Sequence, residues 1–167
     1  IWETLKDNFP KFETIEKYEL SENMIINSST RKNLGLVETL REKNKYGSLL
    51  WAIDKTKTNM GARLLRSWIC QPLKNIDQIK KRQDFVSQLI DLEETRNGLS
   101  ETLENVYDIQ RLATRLSNGS VTPRDFISLR DSLKQLPEIL DLVSVIDTDI
   151  FDKVKSFESE LNDFANL

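Results

Sequence analysis

Histidine is absent from this chain of 167 residues. That removes Ser-His-Asp and Cys-His catalysis and every imidazole metal ligand. Cysteine occurs once, as Cys70, so no internal disulfide forms and a reducing compartment is expected. Five glycines and four prolines fall well below the usual ~12% of a chain. So few breakers argue against a sandwich full of turns. No uncharged run exceeds eight residues, against the ~20 that cross a bilayer as a helix. No membrane association is expected. No basic, apolar, small-residue leader is visible, and the expected location is the cytoplasm. The phosphate loop GxxxxGK[ST], the dinucleotide fingerprint GxGxxG and CxxC are all missing.

Charge is plentiful: 24 basic and 27 acidic side chains give a net −3. The apolar residues between them recur at steps of three and four. Thr30 is a candidate cap for a helix with Leu34, Val37 and Leu40 on one face. Residues 43–47 read as a loop, and Ser48 caps a short helix with Leu49, Leu50 and Ile53 inward. Thr58 opens a longer one, striped by Leu64, Leu65, Trp68 and Ile69 and ended by Pro72. Asn75 and Gln78 have capping-box spacing before a helix that buries Ile76, Ile79, Val86, Leu89 and Ile90. A helix over 92–104 carries Gly98 within it, and Asp108 to Asn118 forms another, stopped by Gly119. Thr122-Pro123-Arg124-Asp125 supplies a cap, a first-turn proline and an acid at the positive helix end. Phe126, Leu129, Leu133 and Leu136 line the helix that follows, and a short helix runs on past Pro137. Every well-signalled element is helical. The expected fold is an all-α, irregular multi-helix bundle with short connections.

The ends carry two further expectations. The chain starts at Ile1 rather than Met, as a piece of a longer protein does. From Phe151 an apolar face of Phe151, Val154, Phe157, Leu161 and Phe164 runs to the last residue with no stop signal, so a helix cut in mid-course is expected there. Such a stripe either folds back on the bundle or pairs with a second copy, and a possible homodimer across a two-fold axis is the expected outcome.

The sign of the charge alternates along the chain. Residues 55–82 carry eight bases and one acid, whereas 83–110 and 138–167 each carry a net −6. A basic stretch of this kind either faces phosphates or pairs with the acidic helices beside it, and the alternation favours pairing. Trp51 and Trp68 fall on apolar helical faces and are expected to pack in the core. Carboxylate pairs such as Glu93-Glu94 lie in polar, solvated stretches. Composition and spacing alone describe a soluble helical module without catalytic equipment.

Two stretches say more. One is Thr30-Arg31-Lys32-Asn33-Leu34 followed by Ser48-Leu49-Leu50-Trp51-Ala52-Ile53-Asp54-Lys55-Thr56-Lys57-Thr58-Asn59-Met60-Gly61-Ala62-Arg63-Leu64-Leu65-Arg66-Ser67-Trp68, then Pro72-Leu73 and Ile79 through Arg82. The other is Asp108-Ile109-Gln110-Arg111-Leu112 with Arg115-Leu116, then Thr122-Pro123-Arg124-Asp125. In this order they strongly resemble the core, or lever, domain of the MutS family of DNA mismatch repair ATPases, in its bacterial mismatch-recognition branch. The resemblance covers about residues 20–145. Asn27, Gly35 and Gln110 depart from it, each standing where the family usually has an acid.

The resemblance implies the first half of a discontinuous lever domain. Residues 1–22 would be a residual connector or entry segment, 23–150 the helical core, and 151–167 the start of a truncated lever helix. It implies a structural role, coupling the DNA-binding and ATPase parts of a longer protein, with no enzyme activity in this fragment. ATP and magnesium belong to the resembled parent, and none of its cofactors to this chain. The implied partners are the parent's other domains and, through the parent, mismatched duplex DNA. No Phe here is followed two residues later by Glu, so the mismatch-reading motif is missing. The embedded polar residues Arg31, Asn33, Arg63, Arg66, Arg111, Arg115 and Arg124 are expected to make structural or interdomain pairs, since a guanidinium forks naturally onto a carboxylate. Thr58 and Gly61, one turn apart, are expected to let another helix approach. The alternative is a self-contained helical interaction module, or a nonspecific nucleic-acid-binding one, using 55–82 as its basic face.

Overall fold

The computed structural model describes residues 23–146. These form eight helices: α1 (Ser28–Asn33), α2 (Leu49–Ile53), α3 (Asn59–Cys70), α4 (Ile76–Asp91), α5 (Glu93–Glu104), α6 (Ile109–Ser117), α7 (Pro123–Leu133) and α8 (Leu136–Val143). The fold is all-α, and the one β-type pairing among the described residues is an isolated bridge between Asn23 and Leu73. Met24 N–H donates to the Pro72 carbonyl there, at 2.7 Å. The apolar segment Met24–Ile26 is mostly exposed, with Ile25 70% accessible. The apolar stripe Phe151, Val154, Phe157, Leu161 and Phe164 and the segment 1–22 lie outside the described residues.

Caps set most of the helix starts. Ser48, Thr58 and Asp108 each accept a hydrogen bond from the backbone N–H three residues on, at 3.2, 2.9 and 3.2 Å. Asn75 Oδ1 accepts from the N–H of Asp77 and of Gln78. Thr122 and Asp125 form a reciprocal capping box, with Pro123 in the first turn. Gly119 takes φ +66° and ends α6 in the left-handed region. The first helix differs from its expected form. Asn27, not Thr30, is its cap, accepting from Thr30 N–H at 2.7 Å. It stops at Asn33, because Gly35 turns left-handed at φ +60° and ends the run before Val37 and Leu40 can join it.

α2 packs on α3, α4 on α5, α5 on α8, and α6 on α7. α5 and α8 meet closely at Gly98, where a Cβ would stand 3.1 Å from Leu142 Cδ2. That approach is the reason a poor helix former sits mid-helix. Thr58 and Gly61, by contrast, admit no second helix: a Cβ at Gly61 would meet Thr58 Oγ1 and Thr56. The pair serves the cap of its own helix.

Among the described residues the buried apolar ones are Leu50, Leu112 and Ile146, and the buried polar ones are Ser48, Thr102, Asp125 and Ser132. Several residues expected inside are open. Leu49, Ile53, Leu64, Trp51 and Trp68 are 41–51% accessible, and Ile76, Val86, Ile90 and Phe126 more than half. Periodicity found the apolar faces correctly, but the described elements cover those of α3, α4 and α7 only in part. On α7 the buried positions are Asp125 and Ser132, while Leu133 is partly open. Ser132 is fully inaccessible; its hydroxyl accepts from Tyr107 N–H at 2.9 Å and donates to the Ser128 carbonyl at 2.8 Å. A polar side chain at that point satisfies a backbone donor that an apolar one would strand.

Candidate functional site: an arginine–carboxylate corner

The cap at Thr58 starts α3 so that Arg63 stands on its second turn, facing the first turn of α6. Asp108 stands at the cap of α6. Arg63 Nη1 and Nη2 donate to Asp108 Oδ2 and Oδ1 at 2.5 and 2.9 Å, a two-pronged fork across 45 residues of sequence. Nη2 also donates to Gln110 Oε1 at 2.8 Å. Asp108 accepts from Arg111 N–H, and the Arg111 side chain closes to 3.5 Å. The Arg63 hydrogen bond, chiefly, lowers the Asp108 pKa from 3.8 to about 2, and the same bond raises that of Arg63. Beside the fork, Lys57 pairs with Glu104 at the end of α5. Lys57, Glu104 and Asp108 line a polar cleft of about 470 Å³. On its rim Asp54 accepts from Lys45 at 2.6 Å and from Thr56, and its pKa too falls to about 2, mainly through the Lys45 bond.

A second pair ties α6 to α7. Arg115 Nη1 donates to Asp125 Oδ1 at 2.6 Å. Asp125 Oδ2 meanwhile accepts from the backbone N–H and the hydroxyl of Thr122. Those Thr122 bonds come first among the causes that lower its pKa, ahead of Arg115. Arg111 and Arg115, one turn apart, thus serve different carboxylates. Arg63 and Arg66 divide as well: Arg66 points into solvent without a side-chain partner among the described residues, as does Arg124. Arg31 is half-buried and Asn33 exposed at the end of α1, and neither side chain is paired among the described residues. The three departures from the motif each have a local use: Asn27 caps α1, Gly35 turns the chain, and Gln110 accepts from Arg63.

Sequence reasoning missed Lys57–Glu104 and Arg96. Arg96 Nη1 reaches back from α5 to the carbonyls of Leu89 and Ile90 at 3.1 and 3.2 Å, satisfying the end of α4. Neither contact has a local signature in the sequence. Among the described residues no three His, Cys, Asp or Glu side chains cluster as metal ligands. No helix among them is long and apolar enough to cross a membrane.

The polar corner joins the two stretches that the motif reading singled out, and a family model described as MutS domain III matches residues 29–166. The chain belongs to the MutS domain III family. It is similar to the DNA mismatch repair protein MutS of Lachnoclostridium phytofermentans, 43% identical over 167 residues, all of this chain and 18% of that protein. It is 47% identical over 144 residues to the MutS of Bacillus licheniformis, covering 86% of this chain and 17% of that protein. The MutS of Bacillus subtilis is likewise 47% identical, over 141 residues, 84% of this chain and 16% of the relative. This MutS domain III chain therefore spans less than a fifth of the length of these curated relatives. Its all-α architecture agrees with the fold implied by the resemblance.

Proposed function

We propose that this chain is the core, or lever, segment of a MutS mismatch repair protein and couples the parent's DNA-binding and ATPase parts without chemistry of its own. The observation that carries the reading is the Arg63–Asp108 fork, which locks two family-motif stretches 45 residues apart into one rigid corner. Coupling over distance needs elements that move as bodies, and a charged fork between two helix starts makes such a body. ATP and magnesium are held elsewhere in the parent. The described residues offer them neither a phosphate loop nor a ligand cluster. The parent's other domains are the direct partners, mismatched duplex DNA an indirect one, and the cytoplasm the compartment.

The rival reading makes 55–82 a phosphate-facing surface. Lys57, Arg63 and Arg82 are already engaged, with Glu104, with Asp108 and with the Trp68 ring. That spending of charge within the bundle favours the scaffold. The test uses the full-length parent. Arg63→Ala should leave DNA binding and basal ATP hydrolysis near normal while reducing the mismatch-dependent change in ATPase rate. If Arg63→Ala leaves that change intact, coupling through this corner is wrong. If the isolated chain binds duplex DNA with an affinity that falls steeply as salt rises, the rival reading gains.

A further inference from the structure

Asparagine precedes glycine twice in this chain, as Asn97-Gly98 and as Asn118-Gly119. Such a pair is open to attack on itself. The glycine backbone nitrogen stands one ring closure away from the asparagine side-chain carbonyl carbon, and glycine has no Cβ to obstruct the approach. Both asparagines are exposed, so access of water does not tell the two sites apart. The backbone does.

Gly98 lies inside α5, where the helix ladder engages its N–H. Its carbonyl accepts from the Thr102 hydroxyl at 2.9 Å. Leu142 of α8 closes on it, 3.1 Å from where a Cβ would stand. Ring closure at Asn97 therefore requires α5 to unwind and its seam with α8 to part. Asn118 stands just past the end of α6 at φ −88° and ψ 1°, already outside the helical well. Gly119 follows at φ +66°, with nothing within 4 Å of a Cβ position. The Gly119 N–H donates to the Leu116 carbonyl and the Ser120 N–H to the Arg115 carbonyl, both at 3.1 Å. Those two bonds close an exposed turn, and a helix end opens at far less cost than a helix interior.

We propose that Asn118 is a deamidation site of this chain, reacting through a cyclic imide with Gly119, while α5 keeps Asn97 unreactive. Hydroxide takes the Gly119 amide proton, and the nitrogen bonds to Asn118 Cγ. The Cγ–Nδ2 bond breaks, and ammonia leaves with a proton from water, which restores the hydroxide. Water then opens the ring at either carbonyl. Opening at Cγ leaves an aspartyl residue; opening at the main-chain carbon leaves an isoaspartyl one, with the backbone rerouted through the side chain. The net change is amide plus water to carboxylic acid plus ammonia, with no redox step. The product carboxylate puts a negative charge at the C-terminal end of α6, where the helix dipole disfavours one. It also arrives three residues from Arg115, which holds Asp125. The inference does not depend on the coupling function.

The test incubates the full 167-residue chain in mildly alkaline buffer, folded and in urea. Samples are quenched and digested in acid, and mass spectrometry follows the amide-to-acid mass gain at each site. In the folded chain Asn118 should convert at least about tenfold faster than Asn97, and chromatography should resolve aspartyl and isoaspartyl products. In urea the two rates should converge, since only the fold separates them. Asn118→Gln, which would need a larger ring, should abolish the product at that position and leave conversion at Asn97 unchanged. Equal rates in the folded chain overturn the proposal, as does a folded Asn118 that stays intact. A product that is aspartyl alone also overturns it, because direct hydrolysis then replaces the imide.

Discussion

The corner between α3 and α6 and the open face of α4 are built on opposite principles. The corner is polar and directional: one guanidinium, one carboxylate, one amide and a helix cap, all satisfied. The α4 face is apolar and non-directional, and much of it stands in solvent. A polar corner tolerates water around it and holds its geometry without a cover. An apolar face acquires a geometry only when something covers it. In a segment that is one part of a longer relative, the first kind of contact can be complete within the segment and the second need not be.

The largest expected effect breaks the corner. Asp108→Ala removes the α6 cap and takes both carboxylate acceptors from Arg63 at once, leaving it Gln110 alone, and urea denaturation should show a loss of about 2 kcal/mol. Asp108→Asn, which keeps a cap acceptor, should lose clearly less. Next comes the seam behind the α4 face. Gly98→Val forces a branched side chain against Leu142 and should cost about 1–3 kcal/mol, read as a lower urea midpoint with an unchanged slope. An unchanged midpoint would mean that α8 is free to shift.

Acid gives a graded version of the first test. Asp108 and Asp54 titrate at about 2 in the folded chain, below the ordinary 3.8. Their contribution is therefore complete above about pH 4 and is lost as pH falls from about 4 towards 2. Melting temperatures between pH 7 and pH 2.5 should drop in that window, and less steeply in Asp108→Asn. The smallest effect sharpens the contrast within one helix. Arg66→Ala should change the stability of this chain by no more than about 0.5 kcal/mol, whereas Arg63→Ala, three residues away, should be plainly destabilising. Equal losses at both positions would mean that Arg66 has a partner in the chain.

Much of the helical skeleton is legible in the sequence because caps are local. Ser48, Thr58, Asn75, Asp108 and Thr122 start helices where their residue types say they should, and Gly119 stops one. Asn27 rather than Thr30 caps α1, and Gly35 ends it early; backbone angles that spacing does not report settle both. Burial was less legible. A period of three to four residues tells which side chains share a face, not whether another helix covers it, which is why Trp68, Val86 and Phe126 are open. The corner was half visible. Arg63 and the Asp108 stretch stand out as motif residues, yet a fork between positions 45 apart leaves no trace in either one alone.

The three hydrogen bonds of Arg63 also have a mechanical meaning. Asp108 at the cap of α6 and Gln110 in its first turn both accept from one planar fork. Rotating α6 by a single residue step, ~100°, would carry both acceptors away from a donor that has no freedom to follow one without losing the other. The corner therefore acts as a key in a shaft. It fixes the azimuth of α6, so torque applied to α3 passes to α6 and, through Arg115 and Asp125, on to α7, rather than being lost as slip between helices.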